Sequence, residues 1–297
     1  MTRQTIRKKL LGLPAALQYR GLGFLIPSSV YLKCVFRNQL GYRLNLKNPE
    51  TFNEKLQWLK LHDRNPQYAF LVDKYEAKRR IGALIGEQYI IPALGVWDRF
   101  ESIDFDRLPS QFVLKCTHDS GGLAICKDKE TWDRAAAREK ITRSLHTNYY
   151  WAGREWPYKQ LRPRVLAEAY MQNSADEELT DYKFFCFNGE PAIILVCSDR
   201  FSAQGLREDF YDQDWRHLDM RRIHHPNADH PHPRPQNLRL MLQLARKCAE
   251  NIPFVRVDFY EINGKVFFGE MTFFPASGFE GWIPEDWDRT LGDMLRL

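Results

Sequence analysis

Two Asn-Gly pairs, Asn188-Gly189 and Asn263-Gly264, constrain the fold of this chain more than any other feature. Strand-length apolar runs flank each of them: Tyr182 to Phe187 and Ala192 to Val196 around the first, Phe254 to Tyr260 and Val266 to Glu270 around the second. Asn and Gly accept the positive φ of tight hairpin turns, so both regions predict antiparallel hairpins. Further strand-like runs are Tyr89 to Val96, Gln111 to Thr117, Leu123 to Cys126 and Val165 to Met171. Helical spacing marks the segment from Thr51, with Phe52, Leu56, Leu59 and Leu61 apolar and Thr51/Glu54 placed as a capping box. Ala69 to Gly82, Trp132 to Leu145 and Leu238 to Asn251 also read as helices. Helices and hairpins alternate without a βαβ rhythm, which predicts an α+β fold rather than a doubly wound sheet.

Of the 297 residues, 44% are hydrophobic and 27% charged, which excludes global disorder and suits a two- or three-lobed enzyme. The 43 Lys and Arg against 38 Asp and Glu leave +5, a bias suited to phosphate-bearing or uronic-acid ligands. It is too small for duplex DNA or RNA, so no nucleic-acid partner is expected. The six cysteines never lie closer than ten residues, so zinc-ribbon and thioredoxin patterns are absent and buried free thiols are expected. Arg7, Lys8 and Lys9 precede an apolar run, Leu10 to Pro27, that Gln18, Tyr19 and Arg20 interrupt. That run is too short and too polar to span a bilayer. A cytoplasmic location is expected. Residues 1–30 suit either packing on the body or a peripheral contact at the inner face of the membrane.

The last hairpin holds the strongest chemistry. In Phe254-Val255-Arg256-Val257-Asp258-Phe259-Tyr260, polar residues alternate with apolar ones, so Arg256 and Asp258 share a face. A two-residue turn at Asn263-Gly264 would send Glu270 to the opposite face. A three-residue loop, Ile262-Asn263-Gly264, brings it to theirs, and that register is the expected one. One guanidinium and two carboxylates then share a face, a magnesium and phosphate arrangement, against the alternative of an exposed salt bridge.

Upstream, Lys115 lies in the apolar strand Phe112-Val113-Leu114-Lys115-Cys116, ahead of the small-residue loop His118-Asp119-Ser120-Gly121-Gly122. A strand lysine before a glycine-containing loop can grip phosphate through its charge and bare N–H groups; an edge lysine before a turn is the alternative. Lys74 is a second phosphate contact or a solvated helix residue. Glu168, polar within Val165 to Met171, can accept from an adenine amino group, and Asp181 and Lys183 share a strand face; strand-edge solvation is the alternative for all three. Asp104-Phe105-Asp106 matches a glycosyltransferase D-x-D motif but lies in a charged, loop-like stretch. The His- and Pro-rich segment His224 to Pro235 reads as an irregular loop, with no Cys or Asp pair at zinc-ligand spacing.

The order of these motifs resembles the ATP-grasp superfamily, and more closely its TupA-like branch of teichuronopeptide and surface-polysaccharide synthesis. The likeness rests on Asn48-Pro49-Glu50-Thr51-Phe52-Asn53-Glu54-Lys55, Asp73-Lys74-Tyr75, Lys115 to Gly122, Arg154-Glu155-Trp156-Pro157-Tyr158, Asp181-Tyr182-Lys183 and Gly269 to Gly278. It covers roughly residues 45–285. It implies an ATP-grasp fold, two α+β lobes gripping ATP. Residues 1–50 would be a helical extension, 51–110 a preceding region, 111–172 the small lid subdomain and 173–297 the C-terminal subdomain with the metal site. The resemblance further implies that Lys74 and Lys115 contact ATP phosphates under a loop bearing His118, Ser120, Gly121 and Gly122. Glu168 and the backbone near Tyr170 would hold adenine, with Asp181 and Lys183 near the ribose or base. Phe268, expected on the side of Glu270, would pack near the base. Asp258, Glu270 and Thr272 would bind Mg2+, and Arg256 and Lys115 would act in catalysis. Thr272 stands where many superfamily members have Asn. The implied activity is an ATP-dependent carboxylate–amine ligase, forming an amide through an acyl phosphate. Its implied partners are a uronic acid or other carboxylate-bearing saccharide and an amine or amino acid, in capsular or cell-wall polysaccharide synthesis. A glycosyltransferase and a non-catalytic nucleotide-binding scaffold are the alternatives.

Overall fold

The computed structural model describes residues 23–173, 179–199 and 205–297. Residues 1–22 of the segment considered for a membrane contact lie outside them. No described helix is long and apolar enough to cross a membrane.

The N-terminal helices are α1 (Ser28–Leu40), α2 (Phe52–His62), α3 (Gln67–Val72) and α4 (Lys74–Ile85). The capping box at α2 forms as expected. The Thr51 hydroxyl accepts from Glu54 N at 3.3 Å, and the Glu54 carboxylate accepts from Thr51 N at 3.3 Å. The single helix expected over 69–82 is two helices. Asp73 adopts an extended backbone with ψ 115°, ending α3, and its Oδ1 accepts from the N–H groups of Tyr75 and Glu76 at 3.0 Å. An Asp cap satisfies the orphan donors of the next helix, so apolar periodicity continues through a break in the axis.

The strands are β1 (Ala93–Trp97), β2 (Phe112–Cys116), β3 (Leu123–Cys126), β4 (Val165–Ala169), β5 (Asp181–Phe187), β6 (Glu190–Ser198), β7 (Arg207–Tyr211), β8 (Arg221–Arg222), β9 (Phe254–Ile262), β10 (Lys265–Thr272) and β11 (Trp282–Ile283). The later helices are α5 (Arg134–Leu145), α6 (Tyr150–Gly153), α7 (Leu238–Ala249) and α8 (Asp286–Met294). β1, β4, β2 and β3 form a four-stranded sheet in that order, and β10, β9, β5, β6 and β7 a five-stranded one. Pairing within both sheets is antiparallel, so the mixed α+β architecture is the expected one.

Each sheet has its own core. Phe112, Leu114 and Val165 of the smaller sheet pack with Ala137 and Ile141 of α5. Phe184, Leu195, Val257 and Phe259 of the larger sheet pack with Met241, Leu244 and Ala245 of α7 and with Phe52 and Leu56 of α2. Burying such side chains stabilises each by roughly 1.5–3 kcal/mol.

The Asn188-Gly189 turn joins β5 to β6 with φ values of 51° and 88°. The second hairpin departs from expectation. Lys265 pairs with Ile262 and Val266 with Glu261, so the turn is the two residues Asn263-Gly264 at φ 49° and 73°. Positive φ at both positions is the primed turn that matches strand twist. The expected three-residue loop does not form. Instead the register shifts between Phe268 and Met271, so Gly269 and Glu270 together oppose Asp258. This bulge, not the turn, returns Glu270 to the Arg256 and Asp258 face. Gly269 permits it, because a Cβ there would come within 3.2 Å of the Asp258 carbonyl oxygen.

Candidate active site

The polar face of the larger sheet carries five ionisable side chains. Arg256 donates from Nε and Nη2 to the two oxygens of Asp258, both at 2.7 Å, and from Nη2 to Glu270 Oε1 at 3.1 Å. Lys183, paired with Asp258 across the β5–β9 ladder, donates to Asp258 Oδ2 at 2.9 Å and lies 3.2 Å from Asp181 Oδ2. Burial alone would weaken both cations. For Arg256, Asp258 outweighs that cost, and for Lys183 the pair Asp258 and Asp181 does, so both stay charged. Asp258 is 2% exposed, whereas the Glu270 side chain is 44% exposed. Burial opposes ionisation of Glu270, yet Arg256 first, then Lys74, Lys183 and Lys115, hold it below the usual carboxylate range.

A second network joins the smaller sheet to α4. Glu168 on β4 lies opposite Val113 of β2 and receives Lys115 at 2.7 Å and Lys78 at 3.0 Å. Burial raises its carboxyl pKa, but Lys115 and Lys78 outweigh this and hold it at about 2. Lys78, one turn beyond Lys74 on the helix read from the sequence, has no site role in that reading. An amphipathic helix lysine reads as solvated unless its cross-element partner is known.

The loop 117–122 is tied on two sides. Lys74 donates through its backbone to Thr117 O at 3.0 Å and through Nζ to Asp119 O. His118 Nε2 faces the carbonyls of Ser144 at 3.2 Å and Thr147 at 3.1 Å, so that nitrogen carries the proton and the ring fastens the loop to α5. A Cβ on Gly122 would lie 2.2 Å from Ser144 Oγ and 2.7 Å from the Cys116 side chain, so close packing requires glycine there. Gly121 has φ 131° and open space around it.

These elements enclose a cavity of about 260 Å³. Of the residues expected at the site, Lys74, Ser120, Arg256, Glu270 and Thr272 line it. Lys115, Glu168, Asp181, Lys183 and Asp258 stand behind these as ion pairs, and His118, Gly121, Gly122 and Tyr170 are not among the lining residues. Phe268 corrects the expectation that it shares a side with Glu270. The bulge leaves it opposite Phe259, fully buried, with ring centroids 6.2 Å apart on the core face. Glu155, Tyr158, Tyr149, Ala276 and Ser277 also line the cavity; the aromatic clusters 149–151 and 156–158 are expected from the sequence to line the cleft, and Glu155, Ala276 and Ser277 lie inside phrases that the sequence marks only by resemblance. Asp104 and Asp106 flank an exposed turn where Asp104 pairs with Arg107 at 3.4 Å, away from this wall.

Among the described residues no three His, Cys, Asp or Glu side chains converge as a ready metal cluster. Magnesium needs only one or two protein carboxylates when phosphates and waters supply the rest. Glu270, half exposed in the cavity with the Thr272 hydroxyl 3.4 Å from its Oε1, fits that requirement. Asp258 fits only with Arg256 and Lys183 turned from its oxygens toward a phosphate.

The TupA-like ATP-grasp family model matches residues 54–296. No curated protein matches the sequence. Among solved structures, the D-alanine–D-alanine ligase from Bacillus anthracis complexed with ATP is 16% identical with a TM-score of 0.44, over 76% of this chain and 65% of that one. The D-alanine–D-alanine ligase from Helicobacter pylori is 12% identical with a TM-score of 0.44, over 84% and 70%. A RimK domain ATP-grasp protein from Sphaerobacter thermophilus is 14% identical with a TM-score of 0.41, over 77% and 68%. With the family model spanning nearly all of the chain beyond α1, the protein belongs to the TupA-like ATP-grasp family.

Proposed function

We propose that the protein is an ATP-dependent carboxylate–amine ligase whose carboxylate is borne by a saccharide, a uronic acid above all, and whose product is an amide in a surface-polysaccharide pathway. One observation carries this reading: Lys74, Arg256, Glu270 and Thr272 converge on one cavity beneath a pinned small-residue loop. Mg-ATP bound there supplies the γ-phosphoryl group that turns a carboxylate into an acyl phosphate. Glu270 and Thr272 would hold the magnesium, and Asp258 would be free to join them only with Arg256 and Lys183 turned to phosphate oxygens. Arg256 and Lys74 then neutralise charge on the transferring oxygens, with Lys115 held behind them by Glu168. Adenine recognition falls to the backbone near Tyr170, with Asp181 and Lys183 toward the ribose; Glu168, whose two oxygens are taken by Lys78 and Lys115, positions Lys115 and does not accept from the base as expected. No enzyme nucleophile is required, because positioning and electrostatics suffice for phosphoryl transfer. The +5 balance suits the anionic substrates.

The test is ADP release from Mg-ATP with glucuronic or galacturonic acid, using hydroxylamine as the amine and reading hydroxamate colour. Release that needs both carboxylate and amine supports the ligase. Release with neither, or cleavage of a sugar nucleotide by the same preparation, contradicts it.

A further inference from the structure

The cavity has a second end that phosphate chemistry does not use. Glu155 sits there, 4% exposed, accepting a hydrogen bond from Ser277 Oγ. Ser277 and its neighbour Ala276 adopt φ values of 52° and 47°, two consecutive left-handed non-glycine residues. Such backbone costs roughly 1–2 kcal/mol per residue and persists only when its surroundings enforce it. The polar face of α2 enforces it here. Lys60 donates to Ser277 O and to Gly153 O, each at 2.7 Å, and Gln57 donates to Ser277 O at 3.1 Å and Gly278 O at 2.6 Å. Gly153 completes the fit, since a Cβ there would lie 2.3 Å from Ser277 Oγ and 2.9 Å from Glu155 Oε1. A helix whose buried residues include Asn53, Gln57 and Lys60 thus holds one strained loop so that its hydroxyl meets one carboxylate at a cavity wall.

We infer that Glu155 and Ser277 form the ammonium-binding site for the amine substrate, and that Glu155 takes a proton from that ammonium. The inference rests on the ligase reading. A carboxylate has about four lone-pair positions, so one hydrogen bond from Ser277 leaves room for an ammonium donor. Burial raises the Glu155 pKa, countered by Lys60 and Ser277, while burial lowers Lys60 to about 7 against the pull of Glu155. The charged and titratable groups around Glu155 are Lys60 of α2, Tyr149 and Tyr158 of the adjoining wall, and Glu270, Lys74, Asp119 and Arg256 across the cavity. Burial, then Glu155 and Glu270, push the Tyr158 phenol up. The step balances. An ammonium gives one proton to Glu155, and the neutral amine attacks the acyl carbon, forming the C–N bond. The C–O bond to phosphate breaks with its electron pair, and the second amine proton leaves with the phosphate.

Hydroxylamine is a weak base already neutral at working pH, so its reaction does not need an ammonium site. The test compares the protein with its Glu155→Gln variant, using Mg-ATP, glucuronic or galacturonic acid, and either hydroxylamine or one of glycine, L-glutamate and glucosamine. The variant is expected to lose at least about 10-fold more rate with the ammonium-type amine than with hydroxylamine. Its KM for the ammonium-type amine should rise about 10- to 100-fold, as for a lost charged hydrogen bond. The lower limb of its kcat/KM pH profile should shift, whereas Glu155→Asp should keep the profile with a smaller rise in KM. An unchanged amine KM and pH profile overturns the inference. Loss of hydroxamate and amide formation together marks Glu155 as a structural tie and overturns it equally. If the unaltered protein forms neither product, the ligase reading fails instead.

Discussion

The two ion networks differ in sign. Around Glu168, Lys78 and Lys115 leave one surplus positive charge on the smaller sheet, whereas Arg256 and Lys183 against Asp181, Asp258 and Glu270 leave one surplus negative charge on the larger. Glu168 is sealed, at 2% exposure, and Glu270 is open. The first network is therefore a strut that aims a lysine. The second keeps a carboxylate available to a cation, which a magnesium-bound polyphosphate between the sheets would complement on both sides.

Replacing Glu168 with Ala should break the comparison most severely. It strands Lys78, 5% exposed, beside Lys115 without a counter-ion, and removing one partner of a buried pair costs about 3–5 kcal/mol. Urea unfolding measures this, and adding Lys78→Met should recover part of the loss. Glu270→Gln should do the opposite, changing stability by less than about 1 kcal/mol while lowering kcat about 100- to 1000-fold. A Glu270→Gln protein that unfolds early would show that both networks are struts.

Acid sharpens the same contrast. Glu168 is depressed to about 2 in the folded state. Its contribution is full above the unfolded carboxyl pKa near ~4.3 and disappears as pH falls through the folded value. Linkage makes that about 3 kcal/mol, lost between roughly pH 5 and pH 2. A pH series of unfolding midpoints should show this loss and Glu168→Gln should flatten it. Gly153→Ala should cost about 1–3 kcal/mol by driving Ser277 from Glu155, read as a lowered Tm. The smallest effect belongs to Asp104→Ala with Asp106→Ala, which should leave ADP release within about twofold; a large loss would favour the glycosyltransferase motif.

Much of the fold was legible where one residue's chemistry decides local geometry. Thr51 with Glu54 marked a helix start, Asn188-Gly189 marked a turn, and Leu123 to Cys126 is a strand at the bounds its apolar run suggests. Asp73 was harder, because helical periodicity runs across it and only its cap reveals the break. The face of Glu270 was right for a reason that sequence does not show. Strand alternation and turn length fix parity, but a bulge changes parity mid-strand, and Gly269 is its only local sign. The same bulge put Phe268 in the core. Lys78, Lys60, Glu155 and Ser277 received no role from the sequence, although Glu155 and Ser277 lie in phrases marked by resemblance, since their roles depend on contacts between distant elements.

The most direct test is the initial rate of ADP release from Mg-ATP with glucuronic or galacturonic acid and hydroxylamine, for the protein and for Glu270→Gln side by side. The account predicts release dependent on both carboxylate and amine, matched by hydroxamate, and reduced at least about 100-fold in the variant. Equal rates in the two proteins, or ADP release indifferent to the carboxylate, would contradict it.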